Sequence, residues 1–209
     1  MTPDPILKIC GITRLEDARH AVQQGATALG FVFWPQSPRC VTLECAAGII
    51  AELPSTVTAV GVFVNESLEG IRNVIAKTGI STVQLHGDEG PSYAGALRCP
   101  VIRAVNLDGA AEACAAWPED ATLLLDAADP ARRGGTGTAI DWEGAAVVAR
   151  RRRVVLAGGL TPTNVADAIA AVEPFGVDVS SGVEQTPGVK DSDKVTRFLA
   201  NARRAFEKR

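Results

Sequence analysis

Histidine, the side chain that metal centres and proton relays draw on most, occurs only twice in this 209-residue chain, as His20 and His86. The five cysteines, Cys10, Cys40, Cys45, Cys99 and Cys114, are odd in number, scattered and without a CxxC pair. That inventory argues against a disulfide framework and against a zinc site, and it points to a reducing compartment. No GxxxxGK[ST] segment is present, which argues against a nucleoside triphosphatase, and no GxGxxG joins a strand to a helix. Positive charge is not in surplus: 21 basic residues face 24 acidic ones, for a net charge of −3. A nucleic-acid partner is therefore not expected. The basic run Arg150 to Arg153 reads as a solvated helix end, because cations favour helix C-termini; a phosphate or RNA patch is the less favoured reading. No apolar run is long enough to cross a bilayer, so no membrane association is expected. MTPDPILK has neither the basic n-region nor the apolar h-region of a signal peptide. The expectation is a soluble cytoplasmic protein.

What is present is a repeating alternation. Short apolar runs rich in Val, Ile and Leu fall at 6–12, 28–34, 58–64, 82–86, 100–105, 122–127, 153–158 and 176–181. Each is nearly continuous in hydrophobicity, as strands buried on both faces are. Amphipathic stretches lie between them at 15–24, 67–79 and 161–172, with 191–209 closing the chain. Ser67 suits an N-cap, Thr161-Pro162 reads as a cap followed by proline at the first helical position, and 42–53 and 108–117 are alanine-rich. In the last helix Val195, Phe198, Leu199, Ala202 and Phe206 form one stripe. A doubly wound open sheet could alternate in the same way. Eight units without a composition break favour one closed (β/α)8 barrel, a single domain over 1–209, compact for a fold of typically about 250 residues.

In such a barrel the active site is built at the C-terminal ends of the strands. Those ends present Cys10, the 33–39 segment, Asn65, His86, Arg103, Asp126, Gly158-Gly159 and Ser180-Ser181-Gly182. AGGL at 157–160 and SSGVE at 180–184 occupy the places where barrels usually hold phosphate, although glycines there could simply make tight turns. RRGGTGT (132–138) suits a loop over the barrel mouth, or a plain surface loop. Asp126, after three leucines, is either a general acid or a carboxylate capping the next loop. Alternation places Lys8 on the face of Cys10 and Asp178 on the face of Ser180, which suggests a Lys8–Asp178 pair between the first and last strands. Arg39, in a loop stiffened by two prolines, suits a carboxylate clamp or stands as a solvated arginine. His86 could donate to a substrate, orient a neighbour, or be structural. Cys10 itself is either a buried small hydrophobe or a base.

The segments KICGIT (8–13), GFVFWPQSPR (30–39), VQLHGDE (83–89), LLLD (123–126), GGTG with DW (134–142), LAGGL (156–160) and DVSSGVE (178–184) together resemble the phosphoribosylanthranilate isomerase family, in order and over almost the whole chain. The resemblance implies a (β/α)8 barrel enzyme of tryptophan biosynthesis that performs an Amadori rearrangement of a small phosphorylated substrate, with no cofactor and no metal. It implies Cys10 as general base and Asp126 as general acid, with Arg39 on the anthranilate carboxylate. The backbone around Gly158, Gly159, Ser181 and Gly182 would hold the phosphate. His86 and Asp178 are counted with the substrate-binding groups, while Trp34 and Gln36 are given no role. Rival readings are another phosphate-binding barrel enzyme, such as indole-glycerol-phosphate synthase or a sugar-phosphate epimerase, and a non-catalytic barrel that senses a phosphometabolite. The assembly is expected to be a monomer or a homodimer.

Overall fold

The computed structural model describes residues 4–127 and 140–209, so the glycine-rich segment 132–138 lies outside the described residues. Eight parallel strands, β1 (Ile6–Cys10), β2 (Ala28–Val32), β3 (Thr58–Phe63), β4 (Thr82–Leu85), β5 (Val101–Val105), β6 (Thr122–Leu125), β7 (Val154–Leu156) and β8 (Gly176–Val179), are each hydrogen-bonded to the next. β8 returns to β1 with Lys8 opposite Asp178, and the sheet is a closed barrel. The alternation of strands and helices is therefore that of the (β/α)8 fold, and the open-sheet reading falls.

Period-two alternation divides each strand between two cores. Residues such as Ile9, Leu29, Phe31, Leu85, Leu123 and Leu125 face outward and are buried under the helices. Ala28, Val60, Ile102, Ala104, Leu124 and Val155 fill the barrel interior. Burial on both faces is why the runs show little alternation in hydrophobicity. Above this plug Cys10, Val32 and Val62 form a separate small cluster with Trp34, at the end where the strands finish.

The outer ring is α1 (Leu15–Gln23), α2 (Leu43–Ile50), α3 (Leu68–Thr78), α4 (Ser92–Ala96), α5 (Leu107–Ala116), α6 (Trp142–Ala149), α7 (Val165–Val172) and α8 (Ser192–Glu207). Ser67 caps α3 by accepting from the Gly70 N–H, and Thr42 and Asn106 cap α2 and α5 in the same way; each such cap is worth about 1 kcal/mol. In α8, Val195, Phe198, Leu199 and Ala202 are buried, and Phe206 is partly so.

Helices α4 and α6 are not among the stretches read from the sequence, and three further features depart from that reading. Thr161 does not cap α7, which starts at Val165 after a turn: Asn164 Oδ1 accepts from Thr161 N (2.7 Å) and Asn164 Nδ2 donates to the Gly159 carbonyl (2.9 Å). The arginine run is not simply solvated. Arg152 donates to the carbonyls of Cys114, Trp117, Pro118 and Ala121, closing the C-terminal end of α5, and the Arg153 guanidinium lies 3.6 Å from the Phe175 ring centroid. A small antiparallel hairpin, β9 (Glu184–Thr186) and β10 (Val189–Lys190), follows a 3-10 turn at Ser181–Val183.

Candidate active site

A cavity of about 430 Å³ opens at the C-terminal ends of the strands, and all nine residues singled out from the sequence line it. Asn65 and Arg103 do not. Arg103 alternates to the outer face of β5, where it pairs with Glu89 (3.1 Å) and lies over Trp117.

The floor is ionic. Lys8 has no exposed surface, and its Nζ donates to Asp178 Oδ2 at 2.9 Å. A lysine this deep needs such a partner, and removing one member of a buried pair typically costs about 3–5 kcal/mol. Burial works against the ammonium, but Asp178 and Cys10 outweigh it and hold the Lys8 pKa above the ordinary lysine value. Cys10 sits two residues further along the same inward face. Burial pushes its thiol pKa up, and the nearby Lys8 ammonium opposes that rise.

Cys10 has its place because β2 offers it a glycine. Gly30 lies opposite Cys10, and a Cβ at Gly30 would stand 2.6 Å from Cys10 Sγ and 3.1 Å from its Cα. Gly30→Ala is therefore expected to displace the thiol. Any activity that depends on Cys10 should fall at least tenfold, about 1.4 kcal/mol, with the barrel's circular dichroism retained. Steady-state kinetics of a folded variant check it.

Asp126 ends β6 and is buried; its Oδ1 accepts from Ala127 N (2.8 Å), and its Oδ2 is 3.5 Å from His86 Nε2. The carboxylate thus holds the backbone of the next residue, Ala127, and it faces the cavity as well. Gln84 Nε2 lies 3.1 Å from His86 Nδ1 and fixes the ring from behind. His86 therefore stands beside the Asp126 carboxylate as its neighbour.

Arg39 is not a solvated loop arginine. Its Nε and Nη2 form a two-point contact with Glu184 (2.8 and 2.7 Å). That pairing, outweighing burial, raises the Arg39 pKa further. Nη1 has no hydrogen-bond partner among the described residues, so the other end of the guanidinium is free for a planar anion. Elsewhere on the cavity wall Gly158 and Gly159 both take positive φ (75° and 68°), and a Cβ on Gly158 would lie 2.7 Å from Ala127 N. Their N–H groups meet no protein acceptor among the described residues, and Ser181 and Gly182 lie beside them in the cavity wall.

A thiol, a carboxyl group, a half-free guanidinium and unspent glycine amides on one barrel mouth fit a doubly anionic substrate and proton-transfer chemistry. The sequence profile of the N-(5'phosphoribosyl)anthranilate (PRA) isomerase family matches residues 7–201. The chain belongs to that family. It is 51% identical to the N-(5'-phosphoribosyl)anthranilate isomerase of Geobacter sp. (strain M21) over 200 residues, 95% of this chain and 98% of the relative. A solved isomerase of Thermotoga maritima, a dimeric enzyme from which monomers were generated, is 42% identical with a TM-score of 0.84, covering 94% of this chain and 97% of its own. A phosphoribosyl anthranilate isomerase in complex with reduced 1-(o-carboxyphenylamino)-1-deoxyribulose 5-phosphate is 43% identical with a TM-score of 0.84, at 94% and 97% coverage.

For this isomerase family member the sequence reading misses Glu184 and Lys190, both buried beside Arg39. The signal for Glu184 was the last letter of SSGVE, an acid placed immediately after a phosphate-type turn. Trp34 and Gln36, given no role from sequence, line the cavity. Among the described residues no helix is long and apolar enough to cross a membrane.

Proposed function

We propose that this chain, acting as one barrel domain, converts N-(5-phosphoribosyl)anthranilate to 1-(2-carboxyphenylamino)-1-deoxyribulose 5-phosphate in tryptophan biosynthesis. It works in the cytoplasm as a monomer or homodimer, without a cofactor. The observation that carries the reading is the placement of Cys10 and Asp126 on one cavity whose rims offer a free guanidinium end and two left-handed glycines.

The substrate's charges orient it. Its carboxylate meets the Nη1 end of Arg39, and its phosphate meets the amides around Gly158, Gly159, Ser181 and Gly182. Asp126 protonates the ring oxygen as the furanose opens, which leaves a Schiff base between C1 and the anthranilate nitrogen. Cys10 then removes the C2 proton, and the electrons move into the C1–C2 bond to give an enolamine that tautomerises to the ketone. Asp178 Oδ1, buried and without a partner among the described residues, accepts a sugar hydroxyl. His86 donates to the substrate or to the Asp126 carboxylate as the reaction requires.

Purified protein should abolish the anthranilate-type fluorescence of freshly prepared phosphoribosylanthranilate without added metal; absence of turnover overturns the proposal. Arg39→Ala should raise KM about 10- to 100-fold and leave kcat within a few-fold, since a charge-assisted pair to the carboxylate is lost from ground and transition states alike. An unchanged KM removes Arg39 from the carboxylate site.

A further inference from the structure

We propose that Lys190 is a positioning residue for the reaction: its buried ammonium sets the places of both the Cys10 thiol and the Arg39 guanidinium. The inference rests on the reading of Cys10 as base and Arg39 as clamp. Lys190 lies on β10, in the hairpin that no step of the chemistry yet uses. Its Nζ reaches three oxygens: the Cys10 carbonyl (2.6 Å), Glu184 Oε1 (2.9 Å) and the Ser180 carbonyl (3.3 Å). An ammonium has three N–H groups, so its donors are fully used. Those oxygens belong to the end of β1, the end of β8 and the start of β9, three segments that converge on the cavity. The Lys190 backbone is itself tied down, because its N–H donates to Asp17 Oδ2 (3.1 Å) on α1.

Glu184 carries the constraint on to the clamp. Its Oε1 accepts from Lys190, Arg39 Nε and Gly188 N, while its Oε2 takes Arg39 Nη2. The Nε edge of Arg39 is thereby committed to the protein, and the Nη1 end points where a ligand can use it. One lysine thus fixes the strand end that bears the base and, through one glutamate, the angle of the clamp.

The same arrangement sets the charge around the thiol. Cys10 faces Lys8 on its own strand, Asp178 on β8, Lys190 on β10 and Arg39 from the loop after β2, while β2 itself carries no charged side chain. Asp126 and His86 line the same cavity. Lys190 favours the thiolate, and burial lowers the lysine's own pKa while Glu184 holds it up. Removing the lysine charge therefore disfavours the thiolate, whereas Glu184 bears on the site through the Lys190 charge and the Arg39 clamp.

The test is the pH dependence of Cys10 alkylation by iodoacetamide, followed on the Cys10 peptide by mass, in Lys190→Met and Glu184→Gln, together with kcat and KM. Lys190→Met should move the alkylation profile to higher pH and lower kcat about tenfold or more. Glu184→Gln should raise KM several-fold, with kcat less affected. A purely structural role would lower thermal stability in both variants and leave the Lys190→Met profile and the Glu184→Gln KM at their wild-type positions, and that result overturns the proposal. If Lys190→Met does not fold, Glu184→Gln decides alone: a KM that stays at the wild-type value overturns it. Failure of the wild-type chain to turn over phosphoribosylanthranilate would sink the reaction assignment instead, because the alkylation profiles need no substrate.

Discussion

Cys10→Ala is expected to lower kcat about a thousandfold while KM stays within a few-fold. The thiol contacts the proton being moved, whereas the groups that hold the carboxylate and phosphate are untouched. Loss of a positioned base is worth roughly 10²- to 10⁴-fold. Cys10→Ser should be as damaging as alanine even though it preserves shape, because an alcohol does not ionise in the working range. The wild-type pH profile follows from the site. Burial raises the thiol pKa and Lys8 opposes it without cancelling it, so the thiolate is the minor form near neutrality. Activity should then rise with pH through a midpoint above the ordinary thiol value of about 8.5. Steady-state kinetics across pH check each part, and a serine variant with near-wild-type kcat would remove Cys10 from the chemistry.

Asp126→Asn should produce a loss of similar size, about a thousandfold in kcat. The amide is nearly isosteric, and its oxygen can still accept from Ala127 N, so that contact is kept. What disappears is the proton that the ring oxygen needs as the furanose opens. The two losses are separable with an already opened, Schiff-base-like substrate, on which the asparagine variant should recover and the Cys10 variant should not. An asparagine variant that keeps most of its kcat on the closed sugar would assign the acid to another group, with His86 the neighbour to examine first.

The barrel was legible because its signal is local. Eight runs buried on both faces need no knowledge of the tertiary structure to be seen, and alternation alone placed Lys8 and Asp178 on facing positions. The position of Cys10 at a strand end followed from the same reading. The contacts that fix Arg39 were not legible: Glu184 lies 145 residues away, and β9 and β10 are three and two residues long, too short for any periodicity. The helix α4 escaped for the same reason, being five residues with no buried position. Thr161 misled because its cap signal was genuine in type, but Asn164 folds back onto Thr161 and Gly159 and delays the helix by a turn. Asp126 shows the remaining gap. Sequence offered a backbone cap or an acid as alternatives, and the structure shows the first, with Oδ1 on Ala127 N, while Oδ2 stands 3.5 Å from His86 Nε2.

The Lys190 contact to the Cys10 carbonyl joins residues 180 positions apart, and the Lys8–Asp178 pair spans 170. These are among the most distant pairings the chain can make, and loop-closure entropy makes such contacts late in folding. Cys10, Lys190 and Glu184 therefore come together only when β1 meets the β9–β10 hairpin. A nascent chain elongated only as far as residue 189 has all eight strands of the barrel and lacks Lys190. Its thiol is present before the ammonium that joins the Cys10 and Ser180 carbonyls to Glu184.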